Sequence, residues 1–200
     1  MNGPPARRLF FALWPDSRVR RRLTAAVRPL LDAAKGRAVA DSRLHVTLAF
    51  LGAIPAEQVE AVLAAGDQVA GERFCLCLNR WSWWRHSKIL LLAPTAPPAA
   101  LEELVAELRE ALGDEGLPVE RRRFKPHVTL ARGCTGVRYR GPVDNVDWTV
   151  DEFVLAESEF HSAGARYNIL RRWGLTPGTE GKDTFSDNST SLETVGGEGL

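Results

Sequence analysis

The chain has 200 residues, of which 44% are apolar and 26% are charged, and its formal net charge is +1. This composition is typical of a globular protein, and the length suffices for one or two small domains with a hydrophobic core. Because the sequence shows neither a secretory h-region nor an apolar run of about 18 residues, we expect a protein of the reducing cytoplasm with no membrane partner.

The charges are unevenly distributed along the chain. Residues 177–200 carry one lysine and five acidic residues, a net charge of −4, so residues 1–176 have a net charge of +5. A basic body suits a polyanionic partner such as RNA, although an ordinary solvated surface accounts for the same balance. The acidic segment has few large apolar residues apart from Phe185. It is therefore predicted to be a disordered tail behind one domain of residues 1–176.

Apolar periodicity and capping signals predict alternating strands and helices in the first half of the chain. In order, the predicted elements are a strand over residues 9–14 ended by Pro15, a helix from Asp16 to about residue 34, strands over residues 37–40 and 44–51, and a helix that begins at Pro55. Gly36 is expected just beyond the end of the first helix.

The second half repeats this order. The predicted elements are strands over residues 74–83 and 88–92 joined by a turn at residues 85–87, a helix from Pro97 to Leu112, a strand over residues 124–131, and strands near residues 148–160 and 167–175. Both halves contain a strand, a helix and then a second strand with the same motif. This repetition predicts an α+β, bilobal, pseudo-symmetric duplicated fold, with antiparallel sheets around a central groove and helices outside.

The repeated motif is the tetrapeptide His-Val-Thr-Leu, at residues 45–48 and 127–130. On a strand, residues i and i+2 share a face, so His45 and Thr47 point to one face, as do His127 and Thr129. If the two strands are neighbours, two imidazoles and two hydroxyls converge. One imidazole can then accept a proton while the other donates one, and the hydroxyls can donate hydrogen bonds to phosphate oxygens.

With its flanking residues, the pair of motifs resembles the two-histidine phosphoesterase superfamily, in which two His-x-Thr-x motifs lie roughly 80 residues apart. The strings that resemble its bacterial and archaeal RNA 2',3'-cyclic phosphodiesterase branch, once called 2'-5' RNA ligase, are RLFFALWP (8–15), LHVTLAFLG (44–52), FKPHVTLAR (124–132), LAES (155–158) and YNIL (167–170). The resemblance covers about residues 7–175 and implies a bilobal fold with one motif in each lobe.

By this resemblance, the expected activity is hydrolysis of RNA 2',3'-cyclic phosphate ends to 2'-phosphomonoesters, without a cofactor or metal. The resemblance implies that His127 is the general base and His45 the general acid, and that Thr47, Thr129 and Arg132 contact the phosphate. Strict alternation would place Arg132 on the opposite face from His127, so the strand must end or bulge near Ala131 for Arg132 to reach the phosphate. The expected partner is an RNA end, and the chain is expected to be a monomer.

Other functions and roles fit the same sequence. A 2'-5' phosphodiesterase, a reversible 2'-5' RNA ligase and a non-catalytic RNA-end binding module would carry the same motifs. Phe50, at the position that corresponds to Arg132, is predicted to lie in the core, with base stacking as the alternative reading. Trp81, Trp83 and Trp84 form either packing residues or a stacking platform together with Arg80 and Arg85. His86 and His161 have no threonine partner and are predicted to be non-catalytic.

The three cysteines, Cys75, Cys77 and Cys134, are too few and too irregularly spaced for a disulfide framework. We expect them to be buried reduced thiols. The spacing of cysteine and histidine also gives no zinc-ligand pattern.

Overall fold

The computed structural model describes residues 6–120, 122–161 and 164–178. Its strands are β1 (Arg7–Leu13), β2 (Ala34–Ala38), β3 (Val46–Ile54), β4 (Phe74–Leu78), β5 (Arg80–Trp84), β6 (Ile89–Ala93), β7 (Val128–Val137), β8 (Val146–Val150), β9 (Glu152–His161) and β10 (Gly164–Gly174). Its helices are α1 (Ser17–Asp32), α2 (Val59–Asp67) and α3 (Ala99–Asp114), and short 3₁₀ turns cover Asp41–Arg43 and Ala56–Gln58. The predicted tail covers residues 177–200, and its part beyond residue 178, including Phe185, lies outside the described residues.

The main sheet is antiparallel and nearly symmetric about its centre. Its strand order is β10-β9-β1-β3-β7-β6-β5, and β2 pairs with a further part of β7. The two motif strands meet only at the pair Val46 and Val128 and then diverge. We call β1, β3, β9 and β10 lobe 1, and β2, β5, β6 and β7 lobe 2. A helix connects β1 to the motif strand in lobe 1 and β6 to the motif strand in lobe 2, which confirms the predicted duplicated α+β fold with a central groove.

The helices cover the face of the sheet opposite the motif side chains. Helix α1 contacts β2, β7 and β8, α3 contacts β3, and α2 lies against α3 and β10. Helix α1 begins as predicted, because Oδ1 of Asp16 accepts a 2.7 Å hydrogen bond from the backbone N–H of Val19, a cap worth about 1 kcal/mol. The valine and leucine side chains of both motifs are buried in the main core cluster. Core burial of these side chains holds each histidine and threonine on the opposite face.

A β-bulge occurs at the same place in both motif strands. In β3, Ala49 and Thr47 face consecutive residues of β1, so Leu48 is the extra residue. In β7, Ala131 and Thr129 face consecutive residues of β6, so Leu130 is the extra residue. Two successive residues of each strand are therefore buried, and the residue that follows turns to the motif face. Of the two arrangements predicted near Ala131, a strand end or a bulge, the structure has the bulge, and β7 continues beyond it.

The prediction that Phe50 lies in the core is wrong because the first motif contains the same bulge. Phe50 turns out of the sheet into the groove, and 43% of it is exposed. The guanidinium of Arg8 lies 4.7 Å from the centre of its ring. A side chain that strict alternation assigns to the core is thus presented to solvent.

Two predicted strands are divided in the structure. The segment predicted over residues 74–83 breaks at Asn79: β4 pairs with β8 in a separate two-stranded sheet, whereas β5 pairs with β6. The side chain of Asn79 accepts a hydrogen bond from the backbone N–H of Thr95 at 2.9 Å, which stabilises the break. The segment near residues 148–160 divides at Asp151, whose carbonyl accepts a hydrogen bond from the N–H of Leu175.

Strand β2 begins earlier than predicted and includes Gly36. A Cβ atom on Gly36 would lie 2.3 Å from the sulfur of Cys134. The glycine therefore serves the close approach of β2 to β7 rather than the end of the helix.

The cysteines are free, but their predicted burial holds only for Cys134, since Cys75 is exposed and Cys77 is half-buried. Phe74, Leu76 and Leu78 occupy the core face of β4 and leave the two cysteines on its outer face. In the described part of the chain, no helix is long and apolar enough to cross a membrane.

Candidate active site

The two motif histidines lie side by side where the lobes meet. His45 immediately precedes Val46 and His127 immediately precedes Val128, and these valines are paired across β3 and β7. The rings are close enough for the charge of His127 to lower the pKa of His45. The structure therefore brings the two motifs together, as their repetition in the sequence predicted.

Each histidine is held by the same local hydrogen bond. Nδ1 of His45 lies 2.7 Å from the carbonyl oxygen of Arg43, and Nδ1 of His127 lies 2.7 Å from the carbonyl oxygen of Lys125. Because a carbonyl only accepts, Nδ1–H is the donor in both rings. The tautomer is thus fixed, and Nε2 of each imidazole is the nitrogen that can exchange a proton with a substrate.

Aromatic rings surround His45 on three sides. The ring of Trp14 is stacked on the imidazole at 5.2 Å with an angle of 5° between the planes. The ring of Phe10 lies at 5.2 Å, and Tyr167 makes an edge contact at 5.4 Å. Burial lowers the pKa of His45 to about 4, against the raising effect of the Arg43 carbonyl. This imidazole is therefore neutral at pH 7 in the free protein.

His127 has a more open environment. It is half-buried, and its aromatic neighbour is Trp84, whose ring centre is 4.9 Å away. Burial is the main cause that lowers its pKa; the Lys125 carbonyl opposes this shift, and the positive charge of Arg132 adds to it. Arg132 also lowers the pKa of His45, so its guanidinium acts on both imidazoles.

A central cavity of about 570 Å³ opens between the lobes in front of the histidines. Its described lining residues include four arginines and no carboxylate, so its electrostatic character is cationic. They are Arg8, Phe10, Arg37, Ala38, Val39, Arg43, His45, Thr47, Phe50, Thr129, Arg132, Ser158 and Tyr167. The predicted site residues Thr47, Thr129 and Arg132 all lie in this wall, and His127 lies beside it.

Sequence reasoning missed several residues of the site. Arg8, Tyr167 and Trp14 stand in strings that carried the family resemblance, but neither spacing nor residue type gave them a role. Arg37 and Arg43 gave no signal, because they come from β2 and the 3₁₀ turn before β3 and reach the cavity only through the tertiary structure.

The tryptophan-rich strand β5 does not form a single stacking platform. Trp81 and Trp83 pack against the core, and their indole N–H groups donate to the carbonyls of Gly141 and Cys134 at 3.0 and 3.3 Å. Trp84 instead contacts His127. The packing reading is therefore correct for two of the three tryptophans.

The remaining histidines are His86 and His161. His86 is exposed in the turn between β5 and β6, and the His161 side chain lies outside the described part. Among the described residues, no cluster of three or more His, Cys, Asp or Glu side chains could hold a metal ion.

Comparison with known proteins gives one family. The model of the 2'-5' RNA ligase superfamily matches residues 15–159. The RNA 2',3'-cyclic phosphodiesterase of Escherichia coli (strain K12) is 34% identical over 170 residues, which cover 84% of this chain and 97% of that protein. The RNA 2',3'-cyclic phosphodiesterase of Thermus thermophilus is 30% identical, with coverages of 84% and 90%.

Solved structures agree with this relationship. The crystal structure of Escherichia coli LigT complexed with 3'-AMP superposes with a TM-score of 0.78 at 32% identity, covering 86% of this chain and 99% of that one. The LigT structure and this chain therefore share their fold over most of their lengths. The chain belongs to the 2'-5' RNA ligase superfamily.

Proposed function

We propose that this protein hydrolyses 2',3'-cyclic phosphate ends of RNA and leaves a 2'-phosphomonoester and a free 3'-hydroxyl. The observation that carries the proposal is the pair of imidazoles at the seam of β3 and β7, each with Nδ1–H bonded to a carbonyl and Nε2 available. The cationic cavity in front of them suits a phosphate. The names of the Escherichia coli and Thermus relatives support the same substrate class.

In the proposed reaction, the two histidines act on opposite sides of phosphorus. Nε2 of His127 accepts a proton from a water molecule whose oxygen attacks phosphorus. The bond from phosphorus to the 3' oxygen breaks, and Nε2 of His45 gives a proton to that oxygen. Exchange with solvent then returns His127 to its neutral form, and His45 takes up a proton again when the next substrate binds.

Thr47, Thr129 and Arg132 are the proposed phosphate contacts. Their side chains line the cavity beside the histidines and can donate hydrogen bonds to the non-bridging oxygens, where negative charge develops. Removal of one such donor typically costs about 3 kcal/mol of transition-state stabilisation.

The protonation of His45 is proposed to depend on bound substrate. Burial keeps this residue neutral in the free protein, whereas the negative charge of a bound phosphate raises the pKa of an adjacent imidazole. The stacked face of Trp14 further stabilises the imidazolium through a cation–π interaction. The profile of kcat/KM reports the free enzyme and that of kcat reports the complex, so the optimum of kcat/KM should lie at lower pH. Coincident optima would contradict this account.

The central experiment is turnover of an oligonucleotide with a 2',3'-cyclic phosphate, followed by identification of the product. We expect a 2'-phosphate from the wild-type protein and a loss of at least about 100-fold in rate for H45A and for H127A. H86A, which changes an exposed histidine, is the matched control and should keep wild-type activity. A 3'-phosphate product, or no turnover, would reject the proposed reaction.

The same assay separates the alternative functions. A 2'-5' phosphodiesterase would prefer 2'-5'-linked dinucleotides as substrates. A 2'-5' RNA ligase would join a cyclic end to a 5'-hydroxyl. A non-catalytic module would bind the cyclic end tightly without turnover. Because the Escherichia coli and Thermus relatives are named RNA 2',3'-cyclic phosphodiesterases, we expect hydrolysis of the cyclic end.

The proposal includes a metal-independent, monomeric enzyme of the cytoplasm. Histidines that act as acid and base need Nε2 free from a metal. Activity should therefore survive excess EDTA, and loss of activity that added Zn²⁺ or Mn²⁺ restores would contradict the mechanism. Size-exclusion chromatography with light scattering tests the monomer. A cytoplasmic location accords with the free thiols, one of which is exposed, and cell fractionation tests it.

A further inference from the structure

Two arginines face each other across β2 and β7 in the wall of the central cavity. Arg37 and Arg132 are direct partners in the register of these strands, both are exposed, and both line the cavity. Directly opposite residues have Cα atoms about 4.5–5.5 Å apart and side chains on one face. Like charges in such a pair destabilise a sheet.

Nothing in the described part of the chain neutralises this pair. The ion pairs of the described residues involve other arginines, and no described carboxylate bonds to Arg37 or Arg132. The cavity wall around them also contains no described acidic residue. A pair of adjacent guanidiniums that costs folding energy and faces a cavity is explained by anionic groups of a ligand.

The two arginines have different positions relative to the histidines. The charge of Arg132 acts on both imidazoles, whereas the charge of Arg37 contributes to neither shift. Arg37 lies on β2. After the two motif strands diverge, β2 replaces β3 as the neighbour of β7. The backbone N–H of Val39 continues this pairing by donating to the carbonyl of Leu130 at 2.8 Å. With the proposed reacting phosphate at Arg132, Arg37 is left to contact a second anionic group further along the groove.

RNA with a cyclic phosphate end supplies a second anion at one place. The terminal nucleoside is joined through its 5' oxygen to a phosphodiester with one negative charge, and a single nucleoside 2',3'-cyclic phosphate lacks this group. We propose that Arg37 binds the phosphodiester between the terminal nucleotide and its upstream neighbour, and that this subsite favours oligonucleotides over mononucleotides. The proposal rests on the proposed function, since it assumes that the reacting phosphate lies at the histidines.

The test removes one charge from the substrate and one from the protein. The substrates are adenosine 2',3'-cyclic phosphate, the dinucleotide ApA with a 2',3'-cyclic phosphate, and the same dinucleotide with an uncharged methylphosphonate linkage. For the wild-type protein, kcat/KM should be about tenfold higher for the phosphodiester than for the methylphosphonate, because one charge-assisted hydrogen bond is lost. The difference should lie in KM. R37A, and R37Q, which keeps a polar side chain of similar length, should abolish it.

The control is R28A, which removes an exposed arginine on helix α1 and should keep both the activity and the tenfold difference. Equal kcat/KM for the two linkages in the wild-type protein, or a tenfold difference that persists in R37A and R37Q, would overturn the subsite. An equal loss on all three substrates would place Arg37 at the reacting phosphate and also overturn it.

Binding separates this inference from the proposed function. If no cyclic phosphate is hydrolysed, the proposed reaction fails, and Kd is measured for ApA with a terminal 2'-phosphate and for its methylphosphonate analogue. A tenfold weaker Kd for the analogue that disappears in R37A would support the subsite, whereas equal Kd values for the wild-type protein would overturn it.

Discussion

Replacement of His45 by glutamine should make the protein less sensitive to acid. Burial lowers the pKa of His45 from its ordinary value of 6.5 to about 4 in the native state. Between these values, the unfolded state binds more protons than the native state, so stability increases with pH and is lost as the pH falls from 6.5 toward 4. One pKa unit corresponds to about 1.4 kcal/mol, so this residue should lower the unfolding free energy by about 3 kcal/mol between pH 7 and pH 4.

Urea denaturation at pH 7 and pH 4 tests this expectation. The loss of unfolding free energy between the two pH values should be about 3 kcal/mol smaller for H45Q than for the wild-type protein. The pKa of His127 is also lowered, mainly by burial, and because this burial is present in both proteins, most of its contribution cancels. H86Q changes an exposed histidine and should lose as much stability as the wild-type protein. An equal loss in H45Q and the wild-type protein would show that His45 is not desolvated in solution.

Four further substitutions test the site and its support. T129V should lower kcat about 100-fold by removing one donor to the phosphate, and unchanged kcat would exclude that contact. F50A should raise KM for cyclic-ended RNA about tenfold if a base stacks on the ring, with F50Y restoring it; an unchanged KM would exclude stacking. W14L should lower kcat and W14F should restore part of it, because the stacked ring orients His45; equal effects would refute this role. G36A should lower the free energy of unfolding by about 1–3 kcal/mol, because the added Cβ meets the sulfur of Cys134, and an unchanged Tm would show that β2 can move away.

The repeated His-Val-Thr-Leu motif by itself predicts much of the fold and of the site. Period-two alternation assigns each histidine and threonine to one face and each valine and leucine to the core, and a duplicated order of elements predicts two lobes. These inferences depend only on local backbone geometry and hydrophobic burial. The helix that follows Asp16 is equally local, because its start and its apolar face are encoded within about 16 residues.

The tertiary structure decided what lies beyond the reach of alternation. Leu48 and Leu130 are the extra residues of the two bulges. A bulge depends on how a strand pairs with its neighbour and not only on the strand's own sequence. The bulge in β3 therefore reversed the prediction for Phe50, and the bulge in β7 permitted Arg132 to reach the cavity. The two residues occupy equivalent positions, so lobe 1 supplies an aromatic surface where lobe 2 supplies a charge.

Long-range contacts decided the remaining properties of the site. The aromatic enclosure that lowers the pKa of His45 joins Phe10 and Trp14 to Tyr167, which are far apart in the chain. Arg37 reaches the cavity because Gly36 permits β2 to approach β7 closely. Sequence spacing identifies the reactive groups, since they repeat in the chain. Their protonation and the second anion position depend on which distant side chains pack around them, and only the folded arrangement of strands specifies this.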